Sequence, residues 1–273
     1  MTGIKTLSEL RSRLELLLSI NTGDAYISST AETEDINDAY QQTAYAYDWP
    51  SLLDRVGIVI VANLNRYSLP ATFRKARTVK SLDITLTETE QEFLKRARNS
   101  YVIDQIQNDI IINPIPTTAS TPYTLSNAES VGNAVTIELD TVSGLSQFDE
   151  IWIDSASGTD EFTLVSSTNT TNTTITARLD AAKSASDILY RQKEIIDLMF
   201  YKTITLLSAS GDTTLLPAPL DFIILHKAAA IAFERLELFD EAKRHDDIWR
   251  VRMQEQWLAF DKSSTGDVTH FSI

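Results

Sequence analysis

The first apolar positions of the chain repeat with a helical period. Leu7, Leu10, Leu14, Leu17 and Leu18 alternate with Glu9, Arg11, Arg13 and Glu15, which predicts an amphipathic helix running to about Ile20. Thr6-Leu7-Ser8-Glu9 reads as a capping box at its start. A second stripe, Ile36, Ala39, Tyr40, Ala44 and Tyr47, predicts a helix beginning near Thr33–Asp35 and stopped by Trp49-Pro50. The pattern then changes. Val56–Val61 and Arg66–Leu69 predict a β-hairpin, Val79–Leu86 a strand, and Tyr101–Ile103 with Ile110–Ile112 another hairpin. Between the last two, Thr87–Arg98 carries a helical charge pattern.

From Leu125 the alternation becomes short and even. Val135, Ile137 and Leu139 share one face, as do Ile151 with Ile153, Phe162 with Leu164, and Ile175 with Ala177 and Leu179. Gly132-Asn133, Gly144, Ser157-Gly158 and Asn169–Asn172 provide the turns, so four or five strands of a small barrel or sandwich are expected. Ile195–Leu207 predicts one more strand. Two helices follow, one opened by Pro219 and running to about Leu238, the other over Asp240–Asp261. The second has the stripe Ala242, Trp249, Met253, Trp257 and Phe260, a spacing more typical of a core or helix–helix seam than of a ligand box.

The expected fold class is therefore α+β. A bundle of two N-terminal and two C-terminal helices with β-hairpins occupies residues 1–123 and 191–262. A small β barrel or sandwich is inserted at 124–190, and 263–273 form a tail. Charge sharpens this division. The net charge is −14, and ten acidic residues against Arg178 and Lys183 place −8 of it within 124–187. So acidic a chain is repelled by duplex phosphates, which argues against a broad nucleic-acid grip.

Catalytic chemistry is not legible. There is no cysteine, which excludes disulfides and thiolate chemistry and suits a reducing cytoplasm. His226, His245 and His270 form no metal-ligand spacing and read as exposed or core-edge residues. The eight glycines stand singly at expected turns, with no phosphate-binding loop. Asp149-Glu150, Asp160-Glu161 and Asp246-Asp247 are adjacent carboxylates suggestive of a hydrolase or calcium site, but a solvated surface explains them better. Asn169-Thr170-Thr171 and Asn172-Thr173-Thr174 match glycosylation sequons and read more simply as a polar turn. Neither a signal peptide nor a membrane span is expected, since the apolar runs Val56–Val61 and Ala228–Phe233 are too short. No enzyme, cofactor or metal is expected.

The order of short motifs carries a resemblance. Ile36-Asn37-Asp38-Ala39-Tyr40, Tyr47-Asp48-Trp49-Pro50 and Tyr67-Ser68-Leu69-Pro70 come first. Ile111-Ile112-Asn113-Pro114-Ile115-Pro116 and Leu215-Leu216-Pro217 before an Ala-rich helix follow. Together they resemble the head-to-tail connector (adaptor) proteins of tailed bacteriophages, over the first 123 residues and those after about 195. That resemblance implies a structural virion protein made in the bacterial cytoplasm and assembled as a ring, commonly of twelve copies, under the portal protein. The ring would extend the DNA channel at the head–tail junction, with DNA passing unbound, and present a platform to a stopper, terminator or tail-tube protein. The family's C-terminal segment implies portal docking, for which Val268, His270, Phe271 and Ile273 are the candidates here. Trp249, Met253, Trp257 and Phe260 are candidates for helix packing or inter-subunit contact. A different reading makes the Thr/Asn-rich β region, with Trp152 and Phe162, a carbohydrate- or surface-binding module.

Overall fold

The computed structural model describes residues 5–18, 28–94, 96–156 and 159–265, with side chains as far as Phe260. Among the described residues it is an α+β protein with four helices and two curled sheets. The chain divides into two compact units. One takes residues 1–53 and 202–273, the other 54–201. Residues 54–123 and 191–201, grouped with the helices on sequence alone, therefore cluster with the acidic β region.

The helical unit begins with α1 (Leu7–Leu18), whose capping box forms as written: Thr6 N–H donates to Glu9 Oε2 at 3.0 Å, and Glu9 N–H to Thr6 Oγ1 at 3.3 Å. Leu7, Leu10, Leu14 and Leu18 are its buried face. Helix α2 (Ser29–Ala46) starts earlier than the acidic residues suggest, because Ser28 Oγ caps it by accepting from Ala31 N–H at 3.2 Å. It also ends before the Trp-Pro pair. Tyr47 is already extended, and Trp49, fully buried, folds back to donate its indole N–H to Thr43 O at 2.9 Å. Helix α3 (Pro219–Arg235) opens on proline and packs against the other three. Helix α4 (Phe239–Thr265) continues four residues beyond the expected stop at 261, through the Ser-Ser-Thr stretch.

The β unit holds thirteen strands: β1 (Leu53–Val59), β2 (Arg66–Ser68), β3 (Phe73–Ser81), β4 (Ile84–Glu88), β5 (Ser100–Asp104), β6 (Asp109–Asn113), β7 (Tyr123–Thr124), β8 (Gly132–Glu138), β9 (Glu150–Asp154), β10 (Glu161–Asn169), β11 (Thr174–Leu179), β12 (Ile188–Arg191) and β13 (Ile195–Lys202). The first sheet has the order β1-β13-β3-β4-β5-β6-β2. The hairpin expected between Val56–Val61 and Arg66–Leu69 is not made. β1 neighbours β13, while β2 pairs with β6 through Arg66↔Ile111. The two strands lie at opposite edges yet are joined by only residues 60–65. Seven flat strands would separate the edges by roughly 29 Å, more than about 25 Å of extended chain reaches, so the sheet must curl. Ile60, Tyr67, Val79, Ile110, Ile112, Ile196 and Leu198 fill the curl.

Two further expectations are corrected here. Val79–Leu86 is not one strand but the hairpin β3–β4, turned at Leu82-Asp83, both of which have positive φ (52° and 64°). Thr87–Arg98 forms no helix among its described residues. β4 runs into it, and the remainder is a series of tight turns that returns the chain to pair β5 parallel with β4. Leu94 is anchored in a small cluster with Val102 and Ile111, and Asn113 Nδ2 donates to Leu94 O at 2.9 Å. Those tertiary contacts outweigh the local helical charge pattern.

The second sheet, β7-β12-β9-β10-β11-β8, curls until its ends meet. Ser126 N–H donates to Glu138 O at 2.9 Å and Asp140 N–H to Thr124 O at 3.0 Å. Its core is Tyr123, Leu125, Ile137, Leu139, Ile151, Ile153, Val165, Ile175, Ala177, Leu179 and Leu189. Phe162 and Leu164 do not belong to that core. The pairings Trp152↔Phe162 and Ile151↔Thr163 put Thr163 and Val165 inward and leave Leu164 56% exposed. The opposite face carries Trp152, Tyr190 and Phe162 against Val59 and Ile195 of the first sheet. Gly57 permits this approach: a Cβ there would stand 2.4 Å from the Trp152 ring. This glycine serves close packing in mid-strand rather than a turn.

Candidate interaction surfaces

Within the helical unit the candidate residues of α4 form a seam. The Trp257 ring stacks on Tyr47 at 5.0 Å, and both Trp257 and Phe260 meet Trp49 edge-on at 5.7 Å. Met253 is buried. Trp249 donates its indole N–H to Thr43 Oγ1 at 3.1 Å, with Lys227 Nζ lying 4.8 Å over its ring. Trp249, Trp257 and Phe260 thus have partners within their own unit, and Met253 is buried there. The portal-docking candidates Val268, His270, Phe271 and Ile273 lie outside the described residues.

Two histidines that sequence spacing kept apart come together. His226 of α3 and His245 of α4 are both buried and face each other Nδ1 to Nδ1 at 3.0 Å. Burial lowers both side chains from the usual histidine range; each other's proximity and Arg252 add to this for His226, and Arg244 for His245, with Glu241 opposing. The pair stands between two grooves of about 520 Å³. One is lined by Phe222, Ile248, Val251 and Arg252, the other by Leu17, Leu18, Phe233 and Glu241. A separation of nineteen positions along the chain hid this pairing from any local motif.

Within the β unit the adjacent carboxylates are all engaged. Glu150 accepts from Arg55 Nη1 at 2.6 Å, Glu161 pairs with the buried Lys183 at 3.1 Å, and Asp149 with Lys193 at 3.4 Å. Asp160 accepts from Ser155 N–H. In the helical unit Asp246 is held by Lys227 and Arg250. Arg55 also forks onto Asp197, two contacts at 2.8 Å, and lies 3.8 Å over the Phe162 ring. Although burial opposes its charge, the hydrogen bonds it donates to Asp197 and Glu150 raise its pKa. Burial likewise pushes Asp197 up, but Arg55 and Gln192 outweigh it and hold Asp197 below the usual carboxylate range. The arrangement couples β1 and β13 to β9 and β10.

Trp152, one of the two aromatics of the carbohydrate- or surface-binding reading, is 3% exposed and covered by Gly57, Phe162 and Tyr190. Besides Val131, at 60%, the exposed large apolar groups of the acidic β region are Phe148 and Leu164, at 73% and 56%. Phe148 and Leu164 line a cavity of about 340 Å³ with Asp83, Asp149, Glu150, Gln192 and Lys193. Among the described residues no group of three or more His, Asp or Glu side chains is placed to hold a metal ion. No described helix is long and apolar enough to cross a membrane. No protein-family model and no curated protein matches the chain.

Proposed function

We propose that this chain is a structural connector that assembles as a ring beneath a portal protein, joining capsid to tail and extending the DNA channel. The observation that carries the reading is where the resembling motifs fall. Tyr40, Trp49, Tyr67, Leu69 and Leu216 are buried cornerstones of the two units rather than surface residues. In this reading the ordered motifs are scaffold positions, and a helical bundle of α1–α4 forms the assembly core. What the described surface offers is an apolar groove beside Phe222 and Val251 together with exposed aromatic groups such as Phe148, the equipment of a protein that works through interfaces. Its strong negative charge disfavours binding to the DNA that would pass through such a ring.

The partners in this reading are the portal, a downstream neck or tail protein, and further copies of the chain, twelve in all if the ring follows the resembled family. Mixing the purified chain with isolated portal rings and imaging the product tests it. A ring seated coaxially on the portal is the expected result, and no association at micromolar concentrations overturns the reading. Removing Lys262–Ile273 is expected to leave the far-ultraviolet spectrum unchanged and abolish attachment. Unchanged attachment would remove the docking role of Val268, His270, Phe271 and Ile273.

A further inference from the structure

We propose that the β unit carries a head-to-tail self-association surface, in which the segment around Phe93 of one copy docks in the cavity beside Phe148 of another. The inference deepens the ring reading, and rests on it only for closure of the assembly.

Phe148 has a φ of 71° and is 73% exposed. For a bulky residue this left-handed conformation is strained, and an exposed ring recovers little of that strain within the fold. The surrounding structure enforces the geometry. Phe148 N–H donates to Val165 O at 2.8 Å and Val165 N–H to Asp149 O at 3.0 Å, beside a register shift between Val165 and Ser167. Leu82 repeats the theme at a turn whose left-handed residues are ordinarily Asn or Gly. Asp83, the next residue of that turn, lines the same cavity as Phe148 and Leu164. The cavity is thus mostly polar and carries charge of both signs, with Phe148 and Leu164 as its apolar lining. Asp149 and Glu150 are bonded to Lys193 and Arg55, Lys193 remains 47% exposed, and Asp83 has no ion pair among the described residues.

The same chain presents a matching projection. Phe93 is 49% exposed on a segment fixed by the burial of Leu94. Exposed Glu90 and Glu92 precede it, and exposed Arg96 and Arg98 follow it. An apolar ring flanked by acids on one side and bases on the other complements a cavity bearing Lys193 and Asp83. Topology prevents a copy from filling its own cavity this way. The 82–83 turn and the 89–99 segment leave β4 at opposite ends, about 17 Å apart over its five residues. A contact between two different surfaces repeats from copy to copy and yields a ring or a filament.

The absence of cysteine makes the test clean. Full-length Gln91→Cys and Gln147→Cys chains, substituted beside the two anchors but not at them, are treated with a short bis-maleimide separately and mixed. Cross-linked dimer from the mixture, and a ladder from the double variant, are expected. Adding Arg96→Glu or Phe148→Ala should lower the mixed product about tenfold, equivalent to about 1.4 kcal/mol. Asp83→Arg on the opposing chain should restore the loss caused by Arg96→Glu, with circular dichroism unchanged throughout. A mixture that cross-links no better than either chain alone overturns the proposal, as does a charge reversal without effect. Cross-linking without portal association would keep this surface and remove the portal reading; the reverse result would do the opposite.

Discussion

His226 and His245 meet Nδ1 to Nδ1 at 3.0 Å in the buried seam between α3 and α4, an arrangement that requires one ring to donate and the other to accept. The charged groups reaching the pair are Arg252, Arg244 and Glu241. Burial lowers both histidines from 6.5, so the unfolded chain binds more protons below that value. Their stabilising contribution is therefore present above pH 6.5 and is lost as pH falls through the folded-state values. Urea midpoints of the wild-type chain should drop between pH 7.5 and 5.5. The His226→Gln, His245→Gln double variant should lose that part of the slope, and an unaltered slope would assign it to other groups.

Asp35 has the opposite sign. It is wholly buried, and burial raises its pKa to about 6, against the opposing pull of Arg235, whose Nη2 lies 2.6 Å from Oδ1. Its other oxygen has no hydrogen-bond partner. Here the folded state prefers the proton, so this stability is full below 3.8 and disappears as pH rises through about 6. Asp35→Asn should accordingly gain on wild type by on the order of 1–2 kcal/mol at pH 8 and by little at pH 4. Denaturant titrations at the two pH values measure the difference; an equal effect at both would show that charge burial is not its origin.

Sequence legibility followed the range of the forces involved. The Thr6–Glu9 box and the leucine stripe of α1 depend on residues three or four apart, and both form as read. The alternation of β8, β9 and β11 was likewise local and visible. Failures occurred where distant contacts decide. β2 takes β6 as its neighbour rather than β1, and Leu94 binds the 89–99 segment to Val102 and Ile111 instead of letting it coil. Parity in β10 was lost because Phe162 and Leu164 look like core residues while Thr163 and Val165 occupy the core. Leu82-Asp83 carries no turn signature, which concealed a whole hairpin. Of the candidate surfaces, the α4 aromatic stripe was readable, whereas its partners Tyr47, Trp49 and Thr43 and the histidine pair required the fold.

Gly57 should tolerate no side chain. A methyl group there would come within 2.4 Å of the Trp152 ring and 2.8 Å of Ile195 Cδ1, both buried. Gly57→Ala is expected to lower stability by about 1–3 kcal/mol through overpacking. Trp152→Phe removes part of the obstructing ring together with an indole N–H that has no partner. Combining the two should therefore cost less than the sum of the single changes, a coupling that equilibrium unfolding resolves. Strict additivity would show that the two sheets do not meet through this pair.

The turn of the β3–β4 hairpin offers the converse prediction, a substitution that stabilises. Leu82 and Asp83 both adopt left-handed backbone, at φ of 52° and 64°, between the paired residues Ser81 and Ile84. Such a two-residue turn favours Asn-Gly, because neither demands the strained conformation of a branched side chain. Leu82 is 39% exposed, so replacing it removes little buried apolar area. Leu82→Asn should raise stability by about 0.5–1 kcal/mol, detectable as a higher urea midpoint with an unchanged slope. If Leu82 contributes to the contact beside Phe148, the same variant should also weaken bis-maleimide cross-linking between Gln91→Cys and Gln147→Cys chains. A more stable protein that assembles less well would connect the turn's strain to its display, whereas a destabilised variant would show that Leu82 supports the fold itself.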